Sequence, residues 1–176
     1  MITIEPPQSI AGSSLSAITK PTVARFLARA QKAIGFAGEV HVLLADDATL
    51  KRLNKTFRGK NKATDVLSFP AGPSTVFFGE PEGPELVGDL AVSLETAARQ
   101  AARFGHTLAD EVRILLLHGL LHLAEFDHEN DSGEMAAREA ELRHRLGLPT
   151  GLIARVAKPA AHVTSSKPGA LRRARA

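Results

Sequence analysis

Apolar residues alternate with polar ones in some windows of the chain and recur every three or four residues in others, which predicts strands and helices in turn. Ile2 to Glu5 reads as a short strand stopped by Pro6-Pro7, and the small polar run 8–19 as a loop. Pro21 opens a helix with Val23, Phe26, Leu27, Ala30 and Ile34 on one face, and Gly35 ends it. Val40, Val42 and Leu44 alternate in EVHVLLA, the pattern of a strand. Asp46 or Asp47 can cap the next helix, which carries Leu50, Leu53 and Phe57 on one face and stops at Gly59. TDVLSF (64–69) is a strand ended by Pro70. Residues 70–85 hold four Pro and three Gly and read as a loop in which TVFF could form a ribbon. LVGDLAVS (86–93) is the fourth strand, and Ser93 caps a helix that runs through Phe104. Thr107-Leu-Ala-Asp110 is a capping-box-like start to a longer helix. That helix is apolar nearly all round from Ile114 to Ala124, so it is expected to be the central buried one. Asp131 starts a last helix, which closes at Leu146 before Gly147 and Pro149. The order βαβαββααα implies a single domain of α/β or α+β class over residues 1–157.

Composition narrows this picture. At 176 residues the chain can bury one core, and 44% hydrophobic with 23% charged residues is ordinary for a globular protein. Cys is absent, which excludes disulfides, thiolate metal sites and cysteine nucleophiles. No apolar run approaches the roughly 20 residues of a membrane span, and the opening MITIEPP has no basic stretch before an apolar one. A cytoplasmic protein with no membrane partner is the expectation. The net charge of +3 misleads, because residues 151–176 hold six basic residues and no acid, and the rest of the chain balances at −3. Residues 158–176 lack periodicity and are expected to form a basic, disordered tail.

Candidate chemistry concentrates in HGLLHLAEFDH, residues 118–128. His118 and His122 are four apart on a helix, so their rings share one face. His128 follows where the helix should have ended, and a turn can return it to the pair. Lone histidines are ordinarily satisfied core or surface residues. Here two of them interrupt a Leu-rich helix, where an imidazole without partners is costly to bury. Three neutral imidazoles leave the fourth position of a tetrahedral zinc open to water. Metzincin peptidases share this spacing, but they carry Glu after the first His, where this chain has Gly119. A peptidase would therefore lack its general base. A second segment, 51–62, holds Lys51, Arg52, Lys55, Arg58, Lys60 and Lys62 and no acid. Such a run can track a phosphate backbone, or it can be a solvated basic face. His41, His106, His144 and His162 lack ligand spacing and read as structural or surface residues.

Together the segments resemble the YbeY family of bacterial zinc-dependent endoribonucleases. The resemblance rests on Asn54, Phe57-Arg58-Gly59-Lys60, Thr64-Asp65-Val66-Leu67-Ser68-Phe69-Pro70, Gly88-Asp89-Leu90 and His118-Gly119 through Phe126-Asp127-His128. It covers residues 38–147 well. It implies an α+β fold with a small mixed four-stranded sheet, five helices and a buried His-bearing helix. It also implies one Zn²⁺ on His118, His122 and His128, and an Arg near the metal, Arg58, that activity requires. The implied work is rRNA maturation at the 3′ end of 16S rRNA and ribosome quality control. Family members usually carry Gly-Tyr where this chain has Glu125-Phe126.

The expected reaction is hydrolysis of a phosphodiester in single-stranded RNA. A zinc-bound water would be the nucleophile, Arg58 would offset charge on the phosphorane, and Lys51, Arg52, Lys55, Lys60 and Lys62 would bind RNA. Asp127 is a candidate general base, or equally a partner that orients a ligand imidazole. Two other functions stay open: a metzincin-like peptidase, and a non-catalytic ribosome-assembly factor in which metal only stabilises the fold. The partners implied are single-stranded rRNA and the small ribosomal subunit.

Overall fold

A computed structural model of the chain describes residues 1–10, 12–72, 84–124 and 133–149. Its strands are β1 (Ile2–Ile4), β2 (Glu39–Ala45), β3 (Val66–Pro70) and β4 (Leu86–Ser93). Its helices are α1 (Gly12–Leu15), α2 (Lys20–Ile34), α3 (Asp47–Arg58), α4 (Leu94–Phe104), α5 (Leu108–Leu123) and α6 (Glu134–Leu146). The four strands and the five longer helices are those the sequence predicts, and α1 is a single turn within the run expected as loop. The structure is α+β with a mixed sheet. Strands β1, β2 and β4 are parallel, and β3 is an antiparallel edge in the order β1-β2-β4-β3.

Hydroxyl and carboxylate caps set where the helices begin. Thr19, Asp46, Ser93 and Thr107 each accept a hydrogen bond from the backbone N–H three residues on, which satisfies a donor that the first turn leaves open. Of the two aspartates that could cap α3, Asp46 takes the cap. Asp47 instead accepts from Ser93 Oγ, from Thr96 Oγ1 at 2.7 Å and from Arg99 at 2.8 Å, and so fastens α3 to α4. The last helix begins at Glu134; the expected start, Asp131, lies outside the described residues.

Alternation along the strands divides the core between two faces. Ile2, Val42, Leu90 and Ser68 form one row across the sheet. The first three join α2 and α5 in the main core with Phe26, Leu27, Leu116 and Leu120. The opposite face is smaller, where Leu67, Ala91 and Ala45 receive Leu50 and Leu53 of α3. Helix α5 is buried at every position from Ile114 to Leu121, as its apolar surround requires. Phe57 departs from expectation. It shares the face of Leu50, yet 65% of it is exposed. Among the described residues no helix is long and apolar enough to cross a membrane.

Candidate functional site

The buried helix α5 delivers His118 and His122 from its last two turns, where it has already been packed by Leu115, Leu116 and Leu120. Their ring centroids are 4.8 Å apart and their planes cross at 78°. His118 is buried and His122 half-buried, so the pair sits at the rim of the core rather than within it. The two Nε2 atoms face each other at 3.2 Å.

On the far side of His118, Nδ1 lies 3.0 Å from Oε2 of Glu139, a residue of α6 that is only 1% exposed. A carboxylate accepts there, so Nδ1 carries the proton and the Nε2 lone pair points toward His122. Sequence reasoning missed Glu139. A signal was available: it stands in register with Met135 and Leu142, both fully buried, as a carboxylate in an apolar helical stripe.

This donor set fits zinc. Two imidazole nitrogens at about 2.0–2.1 Å from one tetrahedral ion lie about 3.3 Å apart, close to the separation found here. A carboxylate behind one imidazole is the usual companion of a metal-bound histidine. His128, Asp127 and Glu125-Phe126 lie outside the described residues. Helix α5 itself ends at Leu123, with Ala124 as its C-cap at φ −86°.

Two glycines let α5 approach the sheet. A Cβ at Gly119 would meet Leu90 Cδ2 at 2.7 Å and Ser68 Oγ at 3.2 Å. Ser68 Oγ also donates to the Gly119 carbonyl at 3.3 Å. Position 119 thus faces β3 and β4, and the general base of a metzincin has no room there. A Cβ at Gly88 would lie 2.6 Å from the Phe69 carbonyl and 2.7 Å from Leu123 Cδ2, one residue past His122.

The basic segment occupies the end of α3 and the turn that follows. Lys51, Arg52, Lys55, Arg58, Lys60 and Lys62 are all exposed. Asn54, buried between them, donates from Nδ2 to the Lys62 carbonyl at 2.8 Å, and its backbone carbonyl accepts from the Lys60 N–H at 3.2 Å. The turn carrying Arg58 to Lys62 is therefore tied back onto its own helix. It leads into β3, whose Val66 and Ser68 lie against α5 at Gly119. Cationic turn and histidine helix thus meet the same edge strand.

The motif residues Asp65 and Asp89 and the remaining described histidines lie apart from the histidine pair. Asp65 accepts from Gln100 Nε2 at 3.0 Å and from the Val66 N–H at 2.9 Å. Asp89 lies 3.3 Å from His41, whose other nitrogen is 3.2 Å from Glu39. His106 Nε2 is 3.5 Å from the buried Glu111, and His144 is exposed. His162 lies outside the described residues.

Comparison with known proteins extends these observations. The endoribonuclease YbeY of Koribacter versatilis (strain Ellin345) is 47% identical over 87% of this chain and 94% of its own length. That of Solibacter usitatus (strain Ellin6076) is 50% identical over 79% of this chain and 87% of its own. A Thermotoga maritima protein solved in solution aligns over 83% of this chain and 89% of its own at 27% identity, with a TM-score of 0.48. The family model described as Endoribonuclease YbeY matches residues 5–147, a span that takes in the basic turn, the histidine pair and Glu139. The chain belongs to the YbeY family.

Proposed function

We propose that the chain is a zinc-dependent endoribonuclease that cleaves single-stranded RNA. The observation that carries this reading is the facing Nε2 pair of His118 and His122, backed by the Glu139 carboxylate, in a chain whose relatives are named endoribonucleases. His118, His122 and His128 would hold the ion. Zinc held there would supply Lewis acidity and lower the pKa of a bound water toward about 7. Glu139 keeps the His118 proton on Nδ1 and the ring in place. The guanidinium of Arg58 balances charge that grows on the phosphate, with a planar fork that Lys cannot copy. Lys51, Arg52, Lys55, Lys60 and Lys62 hold the strand by its phosphates. Gly119 argues against the peptidase alternative, since its position is filled by Leu90 and Ser68. The biological substrate in this reading is the 3′ end of 16S rRNA, reached in the cytoplasm on the small ribosomal subunit during maturation and quality control.

The test is cleavage of a single-stranded RNA by protein of measured metal content. About one zinc per chain is expected. His122→Ala should lose both metal and cleavage. Arg58→Ala should keep metal and fold but lose most turnover, and Arg58→Lys should rescue poorly. Full metal retention in His122→Ala would sink the ligand assignment, and undiminished turnover in Arg58→Ala would remove the guanidinium from the reaction.

A further inference from the structure

The basic turn presents a ring that the core does not use. Phe57 lies two turns beyond Leu50 on α3 and should close that helix's apolar stripe, yet 65% of it is exposed. The stripe opens by degrees, from Leu50, fully buried, through Leu53, half-buried, to Phe57. The last turn of α3 has by then reached β3, the edge of the sheet. One side of the ring is held there by Phe69 of β3, in an edge contact with centroids 5.1 Å apart and planes at 61°. The helix end beneath it is tied by Asn54 to the Lys62 carbonyl.

A single exposed apolar side chain is ordinary. This one is oriented by a second ring, stands on a pinned helix end, and lies in a segment with six cations and no acid. An aromatic face among cations suits single-stranded nucleic acid, because cations follow the phosphates while the ring stacks on an unpaired base. A second copy of this chain would bring like charge against like, and an acidic peptide would need the cations but not the ring. We propose that Phe57 is a stacking platform for one unpaired base of the RNA whose phosphates the 51–62 cations hold, with Phe69 setting the ring's orientation. This rests on the RNA-cleaving reading above and adds a base contact to it.

The test compares binding of a short single-stranded RNA and of an abasic strand of the same length and charge by the full chain, by Phe57→Ala and by Phe57→Trp. Phe57→Ala should bind the intact strand roughly 5- to 100-fold more weakly, as expected when one stacked base is set free. Its salt dependence should keep the slope of the unaltered chain, since every cation that meets a phosphate is still present. The abasic strand should bind all three forms about equally. Phe57→Trp should restore affinity, and since the chain has no other tryptophan, the emission of that variant should be quenched as RNA is added. Unchanged affinity in Phe57→Ala, together with an indole emission in Phe57→Trp that is blind to RNA, would overturn the proposal while leaving the nuclease reading intact. So would loss of self-association in Phe57→Ala with RNA affinity kept, which would assign the ring to an interface between copies. Failure of the unaltered chain to bind either strand would overturn both readings.

Discussion

At the scale of single residues, the site depends on a proton being kept in one place. Glu139 accepts at His118 Nδ1, and this leaves Nε2 as the donor atom for a metal. Glu139→Gln should therefore lower zinc affinity about 10- to 100-fold, read by competition with a chromophoric chelator. Identical affinity in Glu139→Gln and Glu139→Ala to that of the unaltered chain would reduce the carboxylate to a core-filling role. The histidine pair was legible from spacing alone, because four residues along a helix is one turn. Glu139 was not, because it stands 21 positions after His118 on a different helix, and no local period links them. Gly119 was legible only in part. Its sequence position shows the absence of a peptidase's base, whereas its reason is the distance to Leu90 and Ser68, which only the packed fold contains.

At the scale of elements, the same Asp-Asp pair that starts α3 governs its response to acid. The Thr49 backbone N–H holds the Asp46 carboxyl below its ordinary value. Partial burial pushes Asp47 up, but hydrogen bonds from Ser93, Thr96 and Arg99 outweigh it and leave that carboxyl below its ordinary value too. A carboxyl depressed on folding contributes stability above its unfolded pKa and loses it as pH falls through the folded one. Asp47→Asn should thus cost about 1–2 kcal/mol near neutral pH in urea denaturation. The gap between the two proteins should close as pH falls through 3.8 and below. A constant gap down to acid unfolding would show that the carboxylate charge is not what joins α3 to α4. Caps and stops made most elements legible, since Thr19, Ser93 and Thr107 bond locally to the helices they begin. The fate of Phe57 was not legible, because helical period places a residue on a face but does not say where the neighbouring sheet ends.

At the scale of the whole molecule, charge is distributed against the net value. Residues 158–176 carry five positive charges and no negative one, and they lie outside the described residues. Their deletion should leave melting temperature and zinc content nearly unchanged while weakening RNA binding. Each single-strand phosphate that the protein no longer neutralises lowers the log–log salt slope by about 0.7, so a change of roughly one to two units is expected. An identical slope would leave RNA binding to the 51–62 run alone. The order of the elements has a further meaning for a chain that is made from its N-terminus onward. The cationic turn ends at residue 62, whereas the imidazoles arrive at 118 and 122 and the carboxylate that steadies His118 at 139. A nascent chain therefore displays the cations proposed to hold RNA long before it can place His118. Synthesis takes place on a ribosome, beside the very class of molecule the finished protein is proposed to cut. In the proposed reading, holding RNA would need only the first half of the described fold, whereas cutting would await Glu139 in the last described helix.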